Sequence, residues 1–345
     1  MGGQEPPNVL ESDPGAWGHL ALPGMGGAAI PGHQVTCLSG PPRLRLSSVY
    51  GMKTFTYKHT QRPSYLRGCF YWKGRGYHYA DTAPTLIMSP DEVGIEDPWS
   101  ALAWVLERAK RGDFSHVSRL RGWILDKHND PTLVSACLGL TADAGLHGDL
   151  EFLAELMIEG PDYLRIEASL AAQWSGTLWL VPFMLGAWRA LGRRADRESV
   201  ETNIVNLLDP IDGEPQFFAS GLSDVAYVKA VDARVAELTA ACGSDEASIS
   251  SGALVDMNRQ IWLMQKALVP KNGDEWIDWG NFLIWRRKFE VYSGVDCSGF
   301  YGENGVFQPR QASAALGRYM ASAMSFEVGR RYFFGHLVPQ RVEQR

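Results

Sequence analysis

Two stretches decide the fold: LVSACLGLTADAGLHGDLEFLAELM (133–157) and LRIEASLAAQWSGTLWLVPFMLGAW (164–188). Laid over each other at an offset of 31 residues, they agree in design rather than in identity. Leu133 meets Leu164, Gly145 meets Gly176, Phe152 meets Phe183 and Leu153 meets Met184. Each stretch reads as a helix, a glycine turn and a second helix. One such hairpin cannot bury its own apolar face, so the units must stack on one another. A third, weaker first helix follows at ADRESVETNIVNLLD (195–209). The expected fold is therefore mainly α: a HEAT-like α-solenoid of helical hairpins, with an irregular helical bundle as the alternative.

Outward from this pair, further helices are punctuated by acid–proline and proline–acid steps. Asp97-Pro98 supplies an N-cap followed by proline in the first turn, and Trp99, Leu102, Val105, Leu106 and Ala109 then share one face up to Gly112. Asp130-Pro131 and Pro161-Asp162 mark two more boundaries. The break PIDGEPQ (210–216) separates the array, 97–210, from a C-terminal helical region, 211–345, that caps it. There Ser223 starts a helix to about Cys242, and Asp245 starts another through LVDMNRQIWLMQKAL. DEWIDWGNFLIWRRKFEVY (274–292) runs from acidic to basic, as the helix dipole favours, with Trp276, Trp279 and Leu283 as its apolar stripe. A last helix is expected over 310–327.

The N-terminal part differs. Residues 1–51 hold ten Gly and seven Pro and no Lys, a composition that cannot repay the entropy of ordering. They read as disordered, or as an extension upstream of a natural start at Met52. The PGMGGAA stretch (23–29) lacks the spacing and flanking elements of a dinucleotide-binding turn. Residues 52–96 read as a small β-rich flap, with a hairpin in CFYWKGRGYHYA turning at Lys73-Gly74-Arg75-Gly76.

A net charge of −6 argues against a general nucleic-acid binder and fits a chain whose partner is basic. Twelve Trp, twelve Tyr and fourteen Phe supply area for a large core or an interface. No run approaches the roughly 18 apolar residues of a membrane span, and no secretory signal opens the sequence. The five cysteines, at 37, 69, 137, 242 and 297, are widely spaced, which suits reduced thiols in a cytoplasmic protein rather than a disulfide framework or zinc site. Nothing in the sequence points to a cofactor.

The sharpest enzyme-like string is VDCSGF (295–300), which resembles the nucleophile segment of cell-wall cysteine peptidases, with His336 in FFGHLVP following in the right order. The chemistry would need a Cys297 thiolate at a helix N-terminus and an imidazole base. The glycines and proline in SGFYGENGVFQP break the helix that should follow. His116, His128 and His147 are too far apart for a local ligand pair, and Glu151 and Glu155 read as a solvated helix face.

GRRYFFGHLVP (329–339), the repeat pair and DPWSALAWVLERAKRGDFSHVSRLRGWILD (97–126) together resemble bacterial immunity proteins, the antidotes encoded beside polymorphic toxins. That resemblance implies a cytoplasmic protein that does no chemistry and neutralises a cognate, basic toxin domain by covering it. The candidate contact residues are Trp276, Asp278, Trp279, Arg330, Arg331 and Tyr332. In the plainer reading the tryptophans belong to the core, and Tyr332 and Phe333 pack while Arg330 and Arg331 are solvated. A general HEAT-type scaffold and a cysteine hydrolase using Cys297 and His336 are the alternative functions.

Overall fold

The computed structural model describes residues 61–70, 76–81, 89, 91, 97–210, 222–269, 279–302, 306–322 and 324–341. The expectations for residues 1–51, the PGMGGAA stretch, Met52, Trp276 and Asp278 lie outside them. The described chain is mainly helical.

Helix α1 (Pro98–Ala109) starts as its sequence dictates: the Asp97 carboxylate accepts from the Ser100 N–H at 3.0 Å, and the stripe from Trp99 to Ala109 is buried. After the short α2 (Arg121–Leu125), α3 (Pro131–Ala144) uses the same device, with Asp130 accepting from the Thr132 N–H at 2.7 Å. Such caps satisfy donors that the first helical turn leaves open. The run continues through α4 (His147–Glu159), α5 (Asp162–Ser175), α6 (Val181–Ala190) and α7 (Arg194–Leu208). Helix α3 packs on α5 and α5 on α7, while α4 packs on α5 and α6.

The positions matched in the two stretches agree in part: Phe183 is half-buried where its counterpart Phe152 is buried. Leu133, Leu138, Phe152 and Leu153 are buried, as are Leu164 and Met184. Gly145 and Gly176 each close the first helix of a pair, but only Gly176 is left-handed, at φ +74°. Its carbonyl accepts from the Ile249 N–H at 2.7 Å, and a side chain there would run into the Ile249 backbone. Glycine is what lets a later segment dock on this turn.

Helix α8 (Asp224–Cys242) is capped by the Ser223 hydroxyl, which accepts from the Ala226 N–H at 3.4 Å. The helix expected from Asp245 does not form there. Strands β1 (Ile249–Ser250) and β2 (Ala253–Leu254) pair antiparallel around Ser251 and Gly252, both with positive φ (51° and 65°). A two-residue turn of that kind matches the twist of a hairpin and stops any helix entering from Asp245. Helix α9 (Met257–Ala267) begins later, where Asp256 accepts from the Asn258 and Arg259 N–H groups. Helix α10 (Trp279–Ser293) follows.

Helix α11 (Pro309–Met320) stops short of residue 327. Its buried stripe of Ala312, Leu316 and Tyr319 ends there, and Met320 and Met324 are exposed, so no core covers a further turn. The end of the described chain is not helical either: β3 (Tyr332–Phe333) and β4 (His336–Leu337) form an antiparallel hairpin around Phe334 and Gly335. In the flap, residues 71–75 lie outside the described set. Among the described residues of the flap, Cys69 and Gly76 meet in one isolated bridge of parallel sense, and the expected turn at 73–75 lies outside them.

Helix α10 packs on α9 and β3, β3 reaches α3, and β1 packs on α7, so the C-terminal elements share a core with the hairpins. Among the described residues no helix is long and apolar enough to cross a membrane.

Candidate functional site

The sequence of α10 places Arg286, Arg287 and Lys288 in consecutive positions, with Glu290 one turn after Arg286. Its acidic-to-basic order suggests a helix end served by cations. These residues instead occupy middle turns, and all four are buried, Arg286 at 1% exposure and Glu290 at 2%. Arg286 and Glu290 pair with each other one turn apart, while Arg287 and Lys288 meet a carboxylate and a helix end brought from elsewhere, which offsets the desolvation of buried ions.

Arg287 donates to the Asp143 carboxylate of α3, which also accepts from the Tyr77 hydroxyl at 2.5 Å. The Arg287 guanidinium lies 3.9 Å from the centre of the Trp174 ring. Lys288 donates to the carbonyls of Trp174 and Ser175, the last two residues of α5. Just before β3, the buried Arg331 donates to the carbonyls of Ala142 at 2.7 Å and Gly145 at 3.0 Å, at the end of α3. The two turns matched in the sequence repeat thus each receive a buried cation from the C-terminal half. Both cations complement the negative end of a helix and satisfy open carbonyls. Burial pushes Lys288 down to about 7. The cleft lined by Asp143, Trp174, Arg287 and Lys288 has a free interior of about 10 Å³, room for one water.

A second group adjoins this one. Gly76, at φ +57°, sits directly over the Glu290 carboxylate, and any side chain there would collide with it. This glycine lets Tyr77 and His78 close onto α10. Glu290 Oε2 accepts from Arg286 at 3.2 Å, while Oε1 has no hydrogen-bond partner among the described residues and lies 3.9 Å from His78 Nε2. Burial pushes the Glu290 carboxyl up to about 8. Asp296, exposed beyond the end of α10, completes a set in which one imidazole nitrogen and two carboxylates lie within 4.8 Å of one another. The ring of Phe334 covers His78 at 5.3 Å between centres.

The residues singled out from sequence are distributed differently. Cys297 opens a one-turn 3-10 helix (Cys297–Phe300) rather than an α-helix, and it is fully buried. Burial pushes its thiol well above the ordinary range, with the Glu290 charge adding to the shift. The charged groups acting on it are Glu290, Arg286 and Asp296, whereas His336 is exposed on β4 with its ring against Gly112. Among the proposed contact residues, Arg331 and Tyr332 are core, Arg330 is half-buried, and Trp279 opens α10. The expectation that Arg331 is solvated, or free to meet a partner, is corrected by its two carbonyl bonds. His116 pairs with Asp113 and meets Trp104 edge to face, His147 lies between Glu151 and Glu246, and His128 is exposed.

The surface offers a different feature at the corner between α4 and α5. Ile158 and Tyr163 are 46% and 50% exposed, and Glu155, Glu159 and Asp162 around them are exposed as well. Arg165 pairs with Asp162 at 3.3 Å and donates to the Ile158 carbonyl, so the rim is charged and on balance acidic; large apolar side chains inside such a rim have the composition of a protein contact patch. The sequence offered no periodic signal for it, since Ile158 and Tyr163 fall at ordinary helix-end positions. No protein-family model matches the chain, and comparison with curated proteins and with solved structures finds no match.

Proposed function

We propose that the protein is a binding protein, an immunity factor that neutralises a cognate bacterial toxin by covering it, its hairpins α3–α7 stacked in HEAT-like fashion to present the contact surface. The observation that carries this reading is the α4–α5 corner, where Ile158 and Tyr163 stand exposed among Glu155, Glu159 and Asp162. A tyrosine anchor gives contact area at low entropic cost, and an acidic rim on a chain of net charge −6 speeds encounter with a basic partner. Hydrolysis by Cys297 is the less favoured reading, because a fully buried thiol pushed well above its ordinary pKa is a poor nucleophile. A cytoplasmic location is part of the proposal.

The test is co-expression with the toxin domain encoded beside this gene. Cells making both proteins should grow, and cells making the toxin with the Glu155→Lys/Glu159→Lys variant should not. Growth that depends on Cys297, or no protection by the unaltered chain, would overturn the proposal.

A further inference from the structure

The group under Gly76 is independent of the α4–α5 corner and asks for a different ligand. Glu290 is divided in its roles: Arg286 holds Oε2 at 3.2 Å, and this leaves Oε1, buried and without a hydrogen-bond partner among the described residues, turned toward His78. An orphaned carboxylate oxygen inside a core is costly unless something meets it. Three donor groups converge there: an imidazole nitrogen of His78 and one carboxylate oxygen each of Glu290 and Asp296 lie within 4.8 Å of one another. One oxygen of Asp296 is fixed by the Ser298 N–H at 2.8 Å, which holds the carboxylate in place at the start of its turn.

We propose that His78, Glu290 and Asp296 bind a divalent transition-metal cation, and specifically Zn²⁺. The donor set is one imidazole nitrogen and two carboxylates, the mixed nitrogen–oxygen chemistry that suits zinc better than calcium or magnesium. Two carboxylates neutralise the ion's charge. In a tetrahedral zinc site the donor atoms stand about 3.4 Å apart. The 3.9 Å between His78 Nε2 and Glu290 Oε1 then closes by about half an ångström on binding. Arg286 on Oε2 acts as the outer partner that orients a ligating carboxylate. Asp296 is exposed, so the ion enters from its side and solvent supplies the fourth ligand. A bound ion ties the segment carrying Gly76, Tyr77 and His78 to the end of α10. It thereby stabilises the cover over the Asp143–Arg287 cluster.

The experiment uses the full chain, stripped with chelator and titrated with ZnCl₂ by calorimetry, alongside thermal unfolding and a cobalt absorption spectrum. One zinc per chain should bind and raise the melting temperature. His78→Ala and Asp296→Asn should each weaken binding by more than about 100-fold, beyond the range seen when only an outer partner is lost. Asp296 is exposed, so Asp296→Asn leaves the core intact and keeps the test valid if His78→Ala folds poorly. The bound cobalt spectrum should lack a sulfur-to-metal band. Absence of stoichiometric uptake, uptake unchanged by Asp296→Asn, or a cobalt–thiolate band would each overturn the proposal.

Discussion

Asp143→Ala removes the one carboxylate that accepts from both Arg287 and Tyr77 in the core. Arg287 keeps its face-on contact with Trp174, yet its guanidinium loses the charge that compensated burial at 8% exposure. Breaking one partner of a buried pair costs about 3–5 kcal/mol, and a hydroxyl left without its acceptor belongs to the same loss rather than a separate sum. Arg287→Met should cost a similar amount, because Asp143 then keeps, among the described residues, only the Tyr77 hydroxyl as a side-chain hydrogen-bond partner. The double variant removes both charges, so its cost should fall short of the sum by about 2–3 kcal/mol, within the range for residues in contact. Against a usual folding stability of about 5–15 kcal/mol, either single change removes a large share. Urea unfolding of the four proteins at pH 7 measures this cycle directly. A loss below about 1 kcal/mol for Asp143→Ala, or costs that add to within about 0.5 kcal/mol, would refute the idea that the pair is one buried unit.

Phe152 is buried, with the Arg121 guanidinium 5.3 Å from its ring centre, so Phe152→Ala should cost about 3–5 kcal/mol in the same assay; a change under about 1 kcal/mol would place it at a loose edge. Burial between α3 and α5 raises the Glu167 carboxyl above 4.5, against a counteracting bond from Ser135. In the window above 4.5 the unfolded chain has lost this proton while the folded chain keeps it, so stability falls as pH rises there. Glu167→Gln should therefore stabilise the protein more at pH 7 than at pH 4, and an equal effect at both would contradict the assignment. Cys297 should resist iodoacetamide in the folded protein at pH 8, and Cys297→Ser should preserve protection against the toxin; rapid labelling would mean that the thiol is accessible.

Local signals were legible in the sequence because they act over a few residues. The Asp97, Asp130 and Ser223 caps each reach a backbone N–H two or three positions ahead. The paired glycines also read correctly as turns, since each ends an apolar helix at the same point of the repeat. The hairpin at 249–254 was missed because Ser251-Gly252 lacks the asparagine or aspartate that usually marks such a turn. The buried ionic cluster was missed for a different reason. Arg287 meets Asp143 and Tyr77 across 144 and 210 residues of chain, distances at which periodicity carries no information. One clue was present: Asp143 stands in LGLTADAGL, a lone carboxylate in an apolar run that needs a buried partner. His78, Glu290 and Asp296 carried no motif spacing, because their convergence depends on the cover closing over α10.

Capture of a protein toxin at the α4–α5 corner, as proposed, requires Tyr163 to contribute directly to binding. Titration calorimetry of the purified chain with the toxin domain encoded beside it tests this most directly, comparing the unaltered protein with Tyr163→Ala. One-to-one binding should be seen, weakened by about 30-fold or more in the variant, the equivalent of a hot-spot loss of about 2 kcal/mol. No binding, or an unchanged affinity after Tyr163→Ala, would contradict it.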